Sequence, residues 1–84
     1  MGGTDKPTNE RQVELGNRIK AERGAIEWSQ DDLALESGVH RTYVASLESG
    51  RRNPSLDVLC RLAAALGVDV GDIVAGLEKK RGRT

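Results

Sequence analysis

Between Ser37 and Ser55 the sequence reads SGVHRTYVASLESGRRNPS. Arg41, Thr42, Tyr43 and Ser46 can all form hydrogen bonds, and they are interleaved with Val39, Val44 and Leu47 at helical spacing. Arg51, Arg52 and Asn53 follow directly. Guanidinium, hydroxyl and amide groups concentrated in this way suit the recognition of anions and polar edges. The same groups also suit an ordinary solvated surface, so the elements around them decide between the two.

Group-transfer chemistry finds no support. His40 is the only histidine and Cys60 the only cysteine. No Ser/His/Asp, Cys/His or paired-carboxylate constellation shares a face, and no glycine-rich loop cradles a phosphate, so no enzyme is expected. A metal site would need ligands that His40 lacks at any suitable spacing. No cofactor and no small-molecule ligand are expected. Cys60 lies in SLDVLCRLAAALG, a strongly apolar helical pattern, and reads as a small buried core residue.

The chain of 84 residues has the length of one domain, with 37% hydrophobic and 31% charged residues. No apolar run approaches the ~18 residues of a membrane span, and MGGTDKPTNERQ has no apolar core of an export signal. The expectation is a cytoplasmic, globular protein. Thirteen basic residues balance 13 acidic ones. Their distribution is uneven: Glu22, Glu27, Asp31, Asp32 and Glu36 crowd one stretch, while Arg41, Arg51, Arg52 and the KKRGRT tail are basic. A neutral chain with one basic face can still bind phosphates, because the local field governs the contact.

Periodicity and punctuation predict an all-α fold, a compact five-helix bundle. Residues 1–9 read as a flexible N-terminal arm, 10–78 as the helical domain and 79–84 as a basic C-terminal tail. Helix 1 runs from Glu10 to about Gly24, with Leu15 and Ile19 on one face. Ser29 caps helix 2, and Asp32 three residues on completes a capping-box pattern. Gly38 supplies the positive φ of a sharp turn. Helix 3 spans about Arg41–Ser49, with His40 near its N-cap and Gly50 at its end. Ser55 caps helix 4, where Leu56, Leu59, Leu62, Ala63 and Leu66 recur at three and four. Asp69 caps helix 5, VGDIVAGLEKK.

Helix 2, a glycine turn and a short helix 3 describe a helix-turn-helix, whose second helix protrudes with a width that fits the B-DNA major groove. The stretch from Leu15 to Leu77 resembles the lambda-repressor/Cro-type DNA-binding domains. LGNRIKAER, WSQDDLALESGV and RTYVASLESGRRNPSLDVLCRLAAALGV carry the resemblance in one unbroken order over three quarters of the chain. Within that family, HRTYVASLESGRRNPSL looks most like the small controller proteins of restriction–modification systems.

The resemblance implies site roles by position. Arg41 and Thr42 fall in the first turn of the recognition helix, where base contacts are expected; Arg41 has the donors for guanine O6 and N7, and Thr42 suits a thymine methyl or a phosphate. Ser46 is a further base-contact candidate, and Tyr43 reaches DNA or packs at the core edge. Gln30, Arg51, Arg52 and Asn53 fall where the family meets phosphates, and the His40 imidazole suits a weak cap or a phosphate. Arg23 and Glu48 fall where the family pairs an arginine of helix 1 with a glutamate of helix 3. Ile73, Val74 and Leu77 fall at the two-fold interface of the family, and Trp28 at an apolar position. Three residues depart from the pattern: Glu22 replaces an apolar residue, Glu27 stands where glycine is common, implying a longer or differently shaped exit from helix 1, and His40 replaces the usual Ser or Thr cap.

The function implied is sequence-specific transcription regulation by a homodimer on double-stranded DNA, at a near-palindromic operator, with control through protein concentration and cooperative binding. The alternatives are an antitoxin-like or partner-binding helix-turn-helix module and a generic phage-type repressor.

Overall fold

The computed structural model describes residues 9–80; the arm up to residue 8 and residues 81–84 of the tail lie outside the described residues. Five α-helices follow one another: α1 (Glu10–Ala25), α2 (Gln30–Ser37), α3 (Arg41–Glu48), α4 (Leu56–Leu66) and α5 (Val70–Val74), with a 3-10 turn at Leu77–Lys79. No strand occurs among the described residues.

Local chemistry sets most helix ends. Asn9 caps α1, its side chain accepting from the Gln12 N–H at 2.9 Å. Ser29 and Asp32 form a reciprocal capping box at α2, with bonds of 3.0 and 2.8 Å. Two of the first-turn donors that no helix can satisfy internally are thereby paired. Gly38 ends α2 in the left-handed region at φ 75°, where a Cβ would be strained. Ser55 caps α4 through the Val58 N–H.

The helices bury one core of Leu15, Ile19, Leu33, Val39, Val44, Leu47, Leu62, Ala63, Leu66 and Ile73. Helix α1 lies close against the end of α3. A Cβ added to Gly16 would overlap the Leu47 carbonyl oxygen and sit 2.9 Å from that of Glu48. Only glycine permits this approach.

Four expectations are corrected. Cys60 is exposed, not buried. Leu56, one turn earlier on the same face, is 70% exposed. The apolar stripe of α4 is wider than the core it covers, and both residues fall off its edge. The fifth helix does not continue through Lys80. It stops at Val74, Gly76 turns left-handed at φ 78°, and the 3-10 turn follows. The carbonyls freed by the break are taken by α1: Arg18 donates to Ile73 and Ala75 at 2.8 and 2.6 Å, and Arg11 to Leu77 and Glu78 at 3.0 and 3.3 Å. Asp69 holds the N-cap position of α5, but its carboxylate makes no capping bond.

The exit from α1 keeps a glycine-like shape without glycine. Glu27 adopts φ 58° and is the sole non-glycine residue at positive φ among those described. The turn around it is fixed on both sides. The Glu27 N–H bonds to Gly24 at 3.0 Å, and Arg23 Nη1 donates to the Trp28 carbonyl.

Candidate nucleic-acid interface

Burial of Val44, Leu47 and Glu48 on one side of α3 leaves Arg41, Thr42 and Ser49 exposed on the other, with Ser46 half-buried. Arg51, Arg52 and Asn53, just beyond Gly50, are exposed as well. Two features of this face were not legible as site residues. Ala45, half-buried between Arg41 and Ser49 at i+4 steps, adds a small apolar surface to the face. Asp31 of α2 stands beside the start of α3, its Oδ1 2.8 Å from Arg41 Nε. Nothing in the sequence signals that contact, which depends on how two helices cross.

The angle of α3 is held from beneath. Arg23 Nε and Nη2 donate to the two carboxylate oxygens of Glu48 at 2.7 and 2.9 Å, a bidentate pair. Gln30 Nε2 adds a third bond to Glu48 at 3.1 Å. The end of α1, the start of α2 and the end of α3 therefore meet at one carboxylate that is 3% exposed. The hydrogen bond that Arg23 donates to Glu48 raises the pKa of Arg23 above its ordinary value. Gln30 spends part of its amide on this support, which leaves its second amide hydrogen for other partners.

His40 is exposed at the N-cap of α3 and makes no side-chain capping bond. Tyr43 is half-buried against the core, and the Arg52 guanidinium sits over its ring, 5.0 Å from the centroid. This cation–π contact ties the loop after α3 to the helix. Trp28 packs half-buried against the core. Asn53 lines an open cleft with Pro54, Leu59, Val74 and Leu77, on the side of the molecule formed by α1, α4 and the C-terminal turn. Ile73 is only 2% exposed and belongs to the core of the chain itself, whereas Val74 and Leu77 are partly exposed.

A protruding helix with a polar outer face, braced from its inner face, is the arrangement of a DNA-reading helix-turn-helix. A helix-turn-helix family model matches residues 19–73, and the chain belongs to that family. It is a DNA-binding transcription regulator; its relatives are regulators, and it is not an enzyme.

Within the family it is similar to control proteins. Control protein C.MunI from a Mycoplasma species is 33% identical over 73 residues, covering 86% of this chain and 99% of that protein. Control protein C.BamHI from Bacillus amyloliquefaciens is 37% identical over 68 residues, covering 80% and 84%. The crystal structure of the restriction–modification controller protein C.AhdI from Aeromonas hydrophila superposes with a TM-score of 0.72 at 39% identity, covering 74% of this chain and 94% of that one. No helix among the described residues is long and apolar enough to cross a membrane.

Proposed function

We propose that the chain is a cytoplasmic controller protein of a restriction–modification system, acting as a homodimer on a near-palindromic operator. The observation that carries this reading is the concentration of exposed Arg41, Arg51 and Arg52 on and beside α3 in a chain of zero net charge. Arg41, Thr42 and Ser46 face base edges in the major groove, with Tyr43 at the margin. Gln30, His40, Arg51, Arg52 and Asn53 meet the phosphates, aided by the first-turn N–H groups of α2. Two-fold pairing sets two such helices about 34 Å apart, in successive major grooves. Val74 and Leu77, backed from inside by Ile73, supply the apolar surface for that pairing. Regulation follows from concentration: dimerisation and cooperative filling of adjacent sites make occupancy steep in protein level.

Fluorescence anisotropy on DNA from upstream of the chain's own gene, against scrambled DNA, tests the reading across ~50 to 200 mM salt. Tight, cooperative binding to the upstream DNA alone is expected. Equally weak, steeply salt-dependent binding to both would reduce the face to a phosphate binder. Sedimentation of Leu77→Asp tests the interface: the variant should be monomeric at concentrations where the parent is a dimer.

A further inference from the structure

The ion pair between Asp31 and Arg41 places a carboxylate at the working end of the recognition helix, where an acid opposes the phosphates. Its neighbour Asp32 has a separate task, since it closes the capping box at Ser29. Asp31 is not needed for that cap. Its side chain is 74% exposed and that of Arg41 61%, so the pair contributes little to folding. The ion pair brings the carboxylate to the Nε edge of Arg41 without a hydrogen bond, and Nη1 and Nη2 have no partner among the described residues. Those two nitrogens are a fork that matches two acceptors on one base edge.

We propose that Asp31 is a positioning and specificity-determining residue: its charge draws Arg41 in along the Nε edge, leaving the Nη1/Nη2 fork for a guanine edge. The proposal rests on the reading of Arg41 as a base contact. Two physical effects act in the same direction. A side chain already restrained loses less rotamer freedom on binding its base. A carboxylate beside the fork also repels phosphates, so contacts to DNA without the matching base are weakened. Both effects widen the gap between the cognate site and other DNA. Asp31 thereby lowers non-specific affinity while it supports specific affinity.

A double-mutant cycle on the full chain tests this. The probes are a duplex selected from a random pool by the parent protein and a scrambled duplex of equal length. Arg41→Ala, Asp31→Asn and the double variant are compared by anisotropy, with thermal melts to confirm folding. Asp31→Ser, which retains a favourable residue near the start of α2, serves as a second variant. Asp31→Asn should tighten binding to scrambled DNA and lower the specific-to-scrambled ratio about fivefold, an effect that vanishes in the Arg41→Ala background. The lost discrimination should fall at the same base pair that Arg41→Ala affects. If Asp31→Asn tightens both probes equally while Arg41→Ala still lowers the ratio, Asp31 is merely an opposing charge and the proposal fails alone. An equal loss of ratio in both backgrounds overturns it too. If Arg41→Ala leaves the ratio unchanged, the base-contact reading itself falls.

Discussion

Helix α3 takes part in two arginine–carboxylate pairs of similar length and opposite character. At its inner end Arg23 and Glu48 meet at 2.7 Å, with side chains 14% and 3% exposed. At its outer end Arg41 and Asp31 meet at 2.8 Å, with side chains 61% and 74% exposed. Distance therefore says little about what a pair does. The inner pair has been taken out of water and gains a third donor from Gln30. Breaking it strands a charge. The outer pair is bathed in solvent, where its loss costs the fold little. One end of the helix is locked into the fold and the other stays exposed.

The largest test of that contrast is Glu48→Ala. It removes the acceptor of three donors and leaves Arg23 largely buried without its partner, so it should cost about 3–5 kcal/mol, read from urea unfolding. In a domain of this size that is most of the stability, and an unchanged midpoint would erase the distinction between the two pairs. Gly16→Ala attacks the same support through packing. The added methyl meets the backbone carbonyls of Leu47 and Glu48, which cannot rotate away. A loss of about 2–3 kcal/mol is expected from the forced separation of α1 and α3.

Much of this frame was legible in the sequence, for identifiable reasons. Caps, turns and apolar faces depend on neighbours a few residues apart. Ser29 with Asp32, Gly38, and the run Leu62, Ala63 and Leu66 could be read directly. The break after α5 could not. It depends on Arg11 and Arg18 reaching across more than fifty residues to free carbonyls. Cys60 and Leu56 misled because periodicity gives a stripe without its width. Site residues divided in the same manner. The face bearing Arg41, Thr42 and Ser46 follows from helical spacing, whereas the Asp31 contact arises only when α2 and α3 cross.

Glu27 shows how strongly the inner support dictates its surroundings. Glutamate occupies a left-handed conformation because the chain between Gly24 and Trp28 is pinned on both sides. Glu27→Gly removes the steric cost of that conformation but increases the freedom of the unfolded chain, so the two effects partly cancel. The expected gain is about 0.5–1 kcal/mol, visible as a rise of several degrees in the melting midpoint. A destabilised variant would mean that the Glu27 side chain contributes more than its backbone costs.

Arg41→Ala probes the outer pair by the same measure. Its unfolding free energy should stay within about 0.5 kcal/mol of the parent, because both partners are solvated. Binding to the operator should instead weaken by about 1–3 kcal/mol, with little change on scrambled DNA. A large stability loss would place Arg41 with Arg23 among the supports. Equal losses on both DNAs would move it to the phosphates.

The pair of Arg18 and Glu14 lies between these extremes, at 2.9 Å with side chains 26% and 34% exposed, and pH isolates its contribution. The hydrogen bond from Arg18 holds the Glu14 carboxyl below its ordinary value of 4.5, with smaller help from the charges of Lys80 and Arg18. A depressed carboxyl stabilises the fold when ionised. That contribution is complete above pH 4.5 and fades as pH falls through the lower value of the folded state. Glu14→Gln should therefore be slightly less stable than the parent near neutrality, and the two should converge in acid. Added salt should shrink the neutral difference, since the pair is partly exposed. A difference that persisted at low pH would trace to packing of the Glu14 stem beside Arg18, which also carries the bonds to Ile73 and Ala75. The pair would then belong with Arg23 and Glu48 as a support that charge alone does not explain.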